Sequence, residues 1–396
     1  MSSGELMETV LSSRTPSYGH LRCSPRLAGA PSGCSLAVVG GRLASDGCGK
    51  RSLRFCIGHG PRGGVLLESV LRSREFSRKA KGFEFRCFSD RPDCSNVGAV
   101  PYMEDPSSLE RVQFPSVFDP ASKYMSLIMP AYNEQDRIRS TLDETLSYLQ
   151  DRVKRDKSFT YEIIIVDDGS KDNTTKIGFE YINKYGLDVI RLLKQGVNQG
   201  KGAAVRKGML CSRGQLLLML DADGASRITD LEKLEAQILQ SVRGQQASSK
   251  QNPTSKVDVG SAPAVAFGSR AHLEKQALAT RKWYRNFLMK AFHLCVLLVA
   301  GPGVRDTQCG FKMFTRSAAQ QLFPNLRLRR WCFDVELVYL CKRLRIPVSE
   351  VSVTWAEIPG SKVRFFSFAH MLFELVLIRL GYGFHMWKIH TSFVQN

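Results

Sequence analysis

Ile163-Ile164-Ile165-Val166-Asp167-Asp168-Gly169-Ser170 ends an uninterrupted apolar run on two adjacent carboxylates and a glycine. A run that is apolar at every position fits a strand buried on both faces, as in a parallel sheet covered by helices. Packing gives no reason for the strand to end in two acids, so Asp167 and Asp168 point to something gathered beyond it. Asp-Gly is also an ordinary turn pair, and this stretch alone leaves both readings open.

Working outward, residues 124–131 form a second apolar strand. Ile138, Leu142, Leu146, Leu149 and Val153 follow at helical spacing, the apolar face of an amphipathic helix. After the 161–166 strand, the pattern predicts a helix over 174–185, a strand over 188–193, a helix over 201–212, a strand over 215–220 and a helix over 228–240. Alternating strands and helices imply an α/β fold with a mostly parallel central sheet and helices on both faces. In that architecture ligands collect outside the carboxyl ends of the strands.

Each of three strand ends there is marked by acids: Pro130-Ala131-Tyr132-Asn133-Glu134, Asp167-Asp168-Gly169-Ser170 and Asp221-Ala222-Asp223-Gly224. Asp221 and Asp223, one residue apart at a turning strand end, can address one region. A hard divalent cation carrying substrate phosphates is the natural target for such a pair. Three acidic ends in register make a shared site a better account than three independent turns.

Gly196 to Gly202 places glycines and Lys201 before a helix, but it is not a P-loop: the first required glycine is Gln195 and Gly202 stands where Ser or Thr is needed. A G-x-G-x-x-G fingerprint is also absent from the first strand-to-helix turn. The segment remains open to two readings, a phosphate held at the helix N-terminus with Lys201 as counter-charge, or a plain turn.

The chain has 396 residues, 43% of them hydrophobic, enough for a sizeable core, and a formal net charge of +19. That charge favours polyanionic partners without choosing among nucleic acid, nucleotide phosphates and anionic lipid. Acidic strand ends would repel nucleic-acid phosphate unless a metal intervened, so no nucleic acid is expected. Eleven cysteines include no C-x-x-C pair, and structural zinc is not expected. Residues 1–102 are rich in Ser, Gly, Arg and Cys without lasting periodicity and read as irregular; Glu5 and Glu8 argue against a transit peptide. No uncharged apolar stretch reaches the roughly 18 residues of a spanning helix. Two shorter apolar segments, within 283–304 and from 363 to 396, are expected to be an interfacial or re-entrant helix and a membrane-associating helix, with buried core as the alternative. Residues 243–262 read as a polar surface excursion.

Taken in order, LIMPAYNE, IIIVDDGS, NQGKGAAVRKG and LLLMLDADG resemble the inverting glycosyltransferases of family 2, which have the GT-A fold. AFGSR, RDTQCGFKMF and RRWCFDVELVYL narrow the resemblance to members that glucosylate dolichyl phosphate, the donor-making step for lipid-linked oligosaccharides in N-glycosylation. It spans about residue 104 to the C-terminus, with residues 103–362 as the catalytic domain.

The resemblance implies UDP-glucose as donor, dolichyl phosphate as acceptor, and Mg²⁺ or Mn²⁺. It assigns Pro130, Tyr132, Glu134, Asp167 and Asp168 to the nucleoside, Lys201, Asp221 and Ala222 to the donor site, and Asp221 with Asp223 to the metal. Arg270 and Lys312 are expected near phosphates, then Arg305 and Lys362. Asp334 and Glu336 are expected to orient the acceptor or its neighbouring cations, with a structural role as the alternative. It further implies a membrane lipid surface at the cytosolic face of the endoplasmic reticulum. Members usually begin with a spanning helix, in whose place residues 1–102 read as irregular, so the expectation is peripheral association or retargeting. Oligomeric state is not indicated. A GDP-mannose-dependent relative remains the alternative within this class, and a basic nucleotide- or nucleic-acid-binding protein outside it. A processive synthase would need Q-x-x-R-W, but Arg327 stands four residues before Trp331.

Overall fold

The computed structural model describes residues 102–105, 110–248, 258–273, 283–358 and 365–391. The expected irregular segment therefore lies outside the described residues, apart from Tyr102, as does Lys362. A small antiparallel pair, β1 (Tyr102–Glu104) and β2 (Arg111–Gln113), precedes the main sheet. That sheet has seven strands: β3 (Lys123–Ala131), β4 (Tyr161–Asp167), β5 (Ile190–Lys194), β6 (Gly214–Met219), β7 (Val265–Ser269), β8 (Lys312–Thr315) and β9 (Val348–Ser352). Its order is β5-β4-β3-β6-β8-β7-β9. All neighbours are parallel except at β8, which runs antiparallel to both β6 and β7.

The alternation legible around IIIVDDGS stops at β6. Because β8 enters reversed, its first residue, Lys312, pairs with Met219 at the end of β6. The loop before β8 is thereby brought to the same edge as the carboxyl ends of β3, β4 and β6.

The period of two in the strands divides the core into two layers. Ile128, Ile164, Val166, Leu217 and Met219 face one way, covered by α3 (Lys201–Leu210), α5 (Trp283–Ala300), α6 (Arg316–Leu322), α7 (Phe333–Arg343) and α8 (Phe365–Gly383). Met125, Leu127, Met129, Ile163, Ile165, Leu216 and Leu218 face the other, against α1 (Ile138–Arg155), α2 (Thr174–Tyr185) and α4 (Leu231–Ser248). At about 1.5–3 kcal/mol for each fully buried large aliphatic side chain, these two layers dominate the fold's stability.

Two boundaries differ from the sequence expectation. The helix expected to end near 240 runs to Ser248, because Leu231, Leu234, Ile238 and Val242 extend its buried stripe. The first part of the expected surface excursion is thus helical; residues 249–257 lie outside the described ones. The C-terminal apolar helix is also no separate appendage. Met371, Leu375, Ile378 and Tyr382 of α8 enter the main core, while Phe373 and Val376 stay 42% and 50% exposed.

Candidate active site

The carboxyl edge of the sheet opens into a cleft of about 510 Å³. Its floor is built by two loops tied to each other. Asn133, in the left-handed region at φ 51°, follows β3. Its amide donates to Ser170 Oγ at 2.9 Å and its Oδ1 accepts from Lys171 N at 2.8 Å. Glu134 N donates to Thr174 Oγ1 at 2.8 Å, and Glu134 pairs with Arg137. Pro130, Tyr132, Glu134 and Arg137 line the cleft as a result.

The two acids of the opening stretch do different jobs. Asp167, 2% exposed, accepts from Ser170 N at 2.9 Å and from the Thr175 hydroxyl, so it caps its own strand-to-helix turn and does not line the cleft. Its expected nucleoside contact is corrected to this local role. Asp168 does line the cleft. It accepts from Gln199 N at 2.7 Å, Gly200 N at 2.8 Å and Gln195 Nε2 at 3.1 Å, fixing the glycine-rich turn beneath the site. Burial pushes its carboxyl up to about 6, against the pull of those amides.

That turn does not offer its helix N-terminus to an anion. Gly202 N and Ala203 N donate to the carbonyls of Arg330 and Arg329 at 3.2 and 2.9 Å, and Gly200 N is taken by Asp168. Gly200 sits at φ 104° with the Arg329 carbonyl where a Cβ would be, 2.5 Å away, so only glycine fits. Little of the helix N-terminus is thus left for an anion. Lys201 does reach the cleft, where Nζ lies 2.7 Å from Asp221 Oδ1. Burial alone would lower its pKa, but the Asp221, Asp334 and Asp223 carboxylates together outweigh that and hold it raised.

Asp221, Ala222 and Asp223 follow β6 and line the cleft together. Asp221 Oδ1 is buried and, although close to Lys201, has no donor in hydrogen-bond geometry. Asp223 Oδ1 accepts only from Ala225 N at 3.0 Å among the described residues. No group of three or more His, Cys, Asp or Glu side chains among the described residues is arranged to hold a metal. Two carboxylates with spare oxygen capacity suit a hard cation that takes its other ligands from phosphate and water, as Mg²⁺ does.

Cations stand near these acids. Arg270 meets Asp306 in a fork, Nε to Oδ2 at 2.7 Å and Nη2 to Oδ1 at 2.9 Å, with its guanidinium 5.2 Å from the Trp355 ring centre. Burial would raise the Asp306 carboxyl, yet Arg270 holds it below its ordinary value. Lys312 is wholly buried, 2.7 Å from Asp334 Oδ1 and donating to the Cys309 carbonyl. It does not line the cleft, so its expected phosphate contact is corrected to holding Asp334. Asp334 reaches the lining, with burial raising its carboxyl and Lys312 opposing. Glu336 is wholly buried, accepting from Arg327 N at 2.9 Å, Leu328 N at 2.7 Å and Tyr382 OH at 2.7 Å. Its expected acceptor role is corrected to that of a structural staple. Arg305 is exposed and outside the lining.

The sequence reading missed Arg330, Trp331, Gln308, Trp355 and Met371, all of which line the cleft. Trp355 arrives because residues 354–356 run along the turn after Asp223, with Ala356 N donating to Ala225 O at 2.9 Å. The paired Arg330-Trp331 beside the FDVEL helix was the available signal. Arg330 has no carboxylate within ion-pair distance among the described residues.

A cleft of this size at the carboxyl edge of a mixed sheet, with paired acids after a central strand, fits a glycosyl transferase. The family model for glycosyl transferase family 2 matches residues 126–323, and the chain belongs to that family, with the GT-A fold. Within it, the chain is 44% identical to the dolichyl-phosphate beta-glucosyltransferase of Homo sapiens over 290 residues, 72% of this chain and 84% of that one. It is 45% identical to the enzyme of that name from Drosophila melanogaster, covering 72% and 83%, and 39% identical to that from Saccharomyces cerevisiae, covering 65% and 75%. Among solved structures, it is similar to glucosyl-3-phosphoglycerate synthase from Mycobacterium tuberculosis in complex with uridine diphosphate. That match has 16% identity and a TM-score of 0.39, over 66% of this chain and 80% of that one.

Proposed function

We propose that this chain transfers glucose from UDP-glucose to dolichyl phosphate with inversion, releasing UDP and a β-linked dolichyl glucosyl phosphate for lipid-linked oligosaccharide assembly. The observation that carries this reading is the cleft itself. Asp168, Asp221 and Asp223 line it together with Arg270, Arg330 and Trp331. The relatives' printed activity supplies the sugar and the acceptor.

The chemistry asks little of an acid or base. A phosphate monoester has a second pKa of about 6, so the acceptor is largely ionised near neutrality and can attack without losing a proton to the enzyme. Its oxygen forms a bond to the anomeric carbon as the bond to the UDP oxygen breaks, and a single displacement turns an α linkage into a β linkage. Positioning and charge stabilisation then supply the catalysis. Tyr132 and Asp168 bound the nucleoside end. Arg270, aimed by Asp306 and Trp355, faces the phosphates. Asp334, held by Lys312, lines the cleft near Asp221. Asp221 and Asp223 would hold Mg²⁺ or Mn²⁺, whose charge, when bound, stabilises the departing UDP.

The acceptor's polyprenyl chain implies a lipid surface. Leu294, Leu297 and Leu298 of α5 are 57%, 48% and 70% exposed; Phe373 and Val376 of α8, with Phe384 and Met386 just beyond, are also exposed. These two helices pack against each other, and their outward residues form the apolar side we assign to a membrane, at the cytosolic face of the endoplasmic reticulum. No helix among the described residues is long and apolar enough to cross a bilayer.

The test is glucose transfer from radiolabelled UDP-glucose to dolichyl phosphate in detergent with Mg²⁺ or Mn²⁺, alongside GDP-mannose and the Asp223→Ala variant. Glucolipid that forms with the wild type and disappears with the variant supports the reading. Transfer from GDP-mannose instead, or from neither donor by folded protein, overturns it.

A further inference from the structure

Two buried carboxylates grip the strip of chain from Arg327 to Cys332. Glu336 takes the amides of Arg327 and Leu328. Glu374 Oε2 takes those of Trp331 and Cys332, at 3.2 and 2.9 Å. Between them, the carbonyls of Arg329 and Arg330 receive the amides of Ala203 and Gly202.

The two grips differ in origin. Glu336 belongs to the first turn of α7, which begins where the strip ends, so its grip is local in sequence. Glu374 comes from α8, 42 residues beyond Cys332. It is 3% exposed although its neighbour Phe373 is 42% exposed. Burying a carboxylate is costly unless it is well bonded, and this one directs its oxygen at two successive amides of a strip that lines the cleft. Its other oxygen lies 3.3 Å from His370 Nε2. The same turn of α8 sends Met371 into the cleft, and Cys332 Sγ donates to the Met371 carbonyl at 3.2 Å.

We propose that Glu374 is a positioning residue for the acceptor end of the cleft: by holding the Trp331 and Cys332 amides, it sets the Trp331 ring and the Arg330 guanidinium toward the acceptor phosphate. This rests on the reading above of the cleft as the site of glucosyl transfer to a lipid phosphate. Two amides on one oxygen fix the orientation of the peptide between them. Arg330 makes no ion pair within 4 Å among the described residues, although its charge bears on Asp168, so the course of its main chain largely sets where that charge lies. The glycine-rich turn has a tie of its own, from Asp168 to the Gln199 and Gly200 amides, besides its contacts with the Arg329 and Arg330 carbonyls, so UDP binding is expected to change less than acceptor use when Glu374 is replaced. What the strip needs is an acceptor atom at that place, which a glutamine carbonyl also provides.

The test uses the full chain in detergent, with steady-state transfer measured against each substrate in turn, UDP affinity by calorimetry with Mn²⁺, and thermal unfolding. Glu374→Ala is expected to lower kcat/KM for dolichyl phosphate about 30-fold, while UDP affinity stays within about twofold. Glu374→Gln is expected to restore transfer to within about threefold of wild type. If Glu374→Ala does not fold, Glu374→Asp, whose carboxylate stops short of the amides, is expected to show the same acceptor-selective loss. Equal losses for both substrates, weakened UDP binding, or unchanged transfer in the folded Ala or Asp variant would overturn the proposal and leave the function intact. Absence of wild-type transfer would instead overturn the functional reading.

Discussion

Gly310 lies flat against the carboxylate of Asp221, so that a Cβ at position 310 would sit 1.9 Å from Oδ2. The loop before the reversed strand β8 thus forms the back wall of the acidic pair, and no side chain fits between them. Gly310→Ala must push Asp221 off Lys201 and out of line with Asp223. It is expected to lower kcat/KM by about 100-fold, as a displacement of about 1 Å in a positioned group can do. Unfolding by circular dichroism should change little. A variant with wild-type turnover would show that Asp221 does not need this position.

Glu336 offers a different kind of test, because its bonds are all to its own scaffold. A glutamine there must point an amide donor at Tyr382 or at one of two backbone donors. The expected cost is about 1–3 kcal/mol of stability, read as a lowered denaturation midpoint, with kcat at low temperature close to wild type. A folded variant of normal stability that lost transfer would return Glu336 to the acceptor role.

Asp168 and Asp306 carry opposite pH signatures. The folded Asp168 carboxyl is raised from 3.8 to about 6, so the folded state binds its proton more tightly. Stability from this group is greatest below 3.8 and declines as pH rises toward 6, by an amount on the order of 2–3 kcal/mol before solvent screening. Compared with Asp168→Asn, wild type should lose relative stability between pH 4 and pH 6 in denaturant titrations. Asp306 is depressed by Arg270, so its contribution is present above the ordinary carboxylate value and lost only as pH falls through its lower folded value. Asp306→Asn should therefore be less stable than wild type at pH 7, with the gap closing only in strong acid.

The apolar side of α5 and α8 predicts partitioning. Replacing both Leu298 and Phe373 by Glu removes two exposed side chains, each able to contribute about 1.5–3 kcal/mol when buried. Vesicle flotation should fall by at least about 10-fold, while transfer to a short, water-soluble polyprenyl phosphate in detergent falls much less. Unchanged flotation would place the membrane contact elsewhere.

Local pattern in the sequence determined much of this protein. The buried strands, the helices between them and the acidic strand ends all follow from periodicity and turn chemistry within a few residues, and the resemblance to family 2 singled out Tyr132, Asp168, Asp221 and Asp223 among them, all of which line the cleft. Tertiary structure decided what those acids do. Asp167 and Asp168 are neighbours in sequence, yet alternation along the strand turns one into its own turn and the other toward the cleft. Lys312 carries a charge that looks available on paper; β8 runs backward and buries it against Asp334. Arg330, Trp331 and Glu374 come from segments far from the acidic strand ends and reach the cleft with α7 and α8, while Trp355 follows β9 and is carried in by the bridge to Ser226, because contacts between distant segments depend on the direction and register of whole elements.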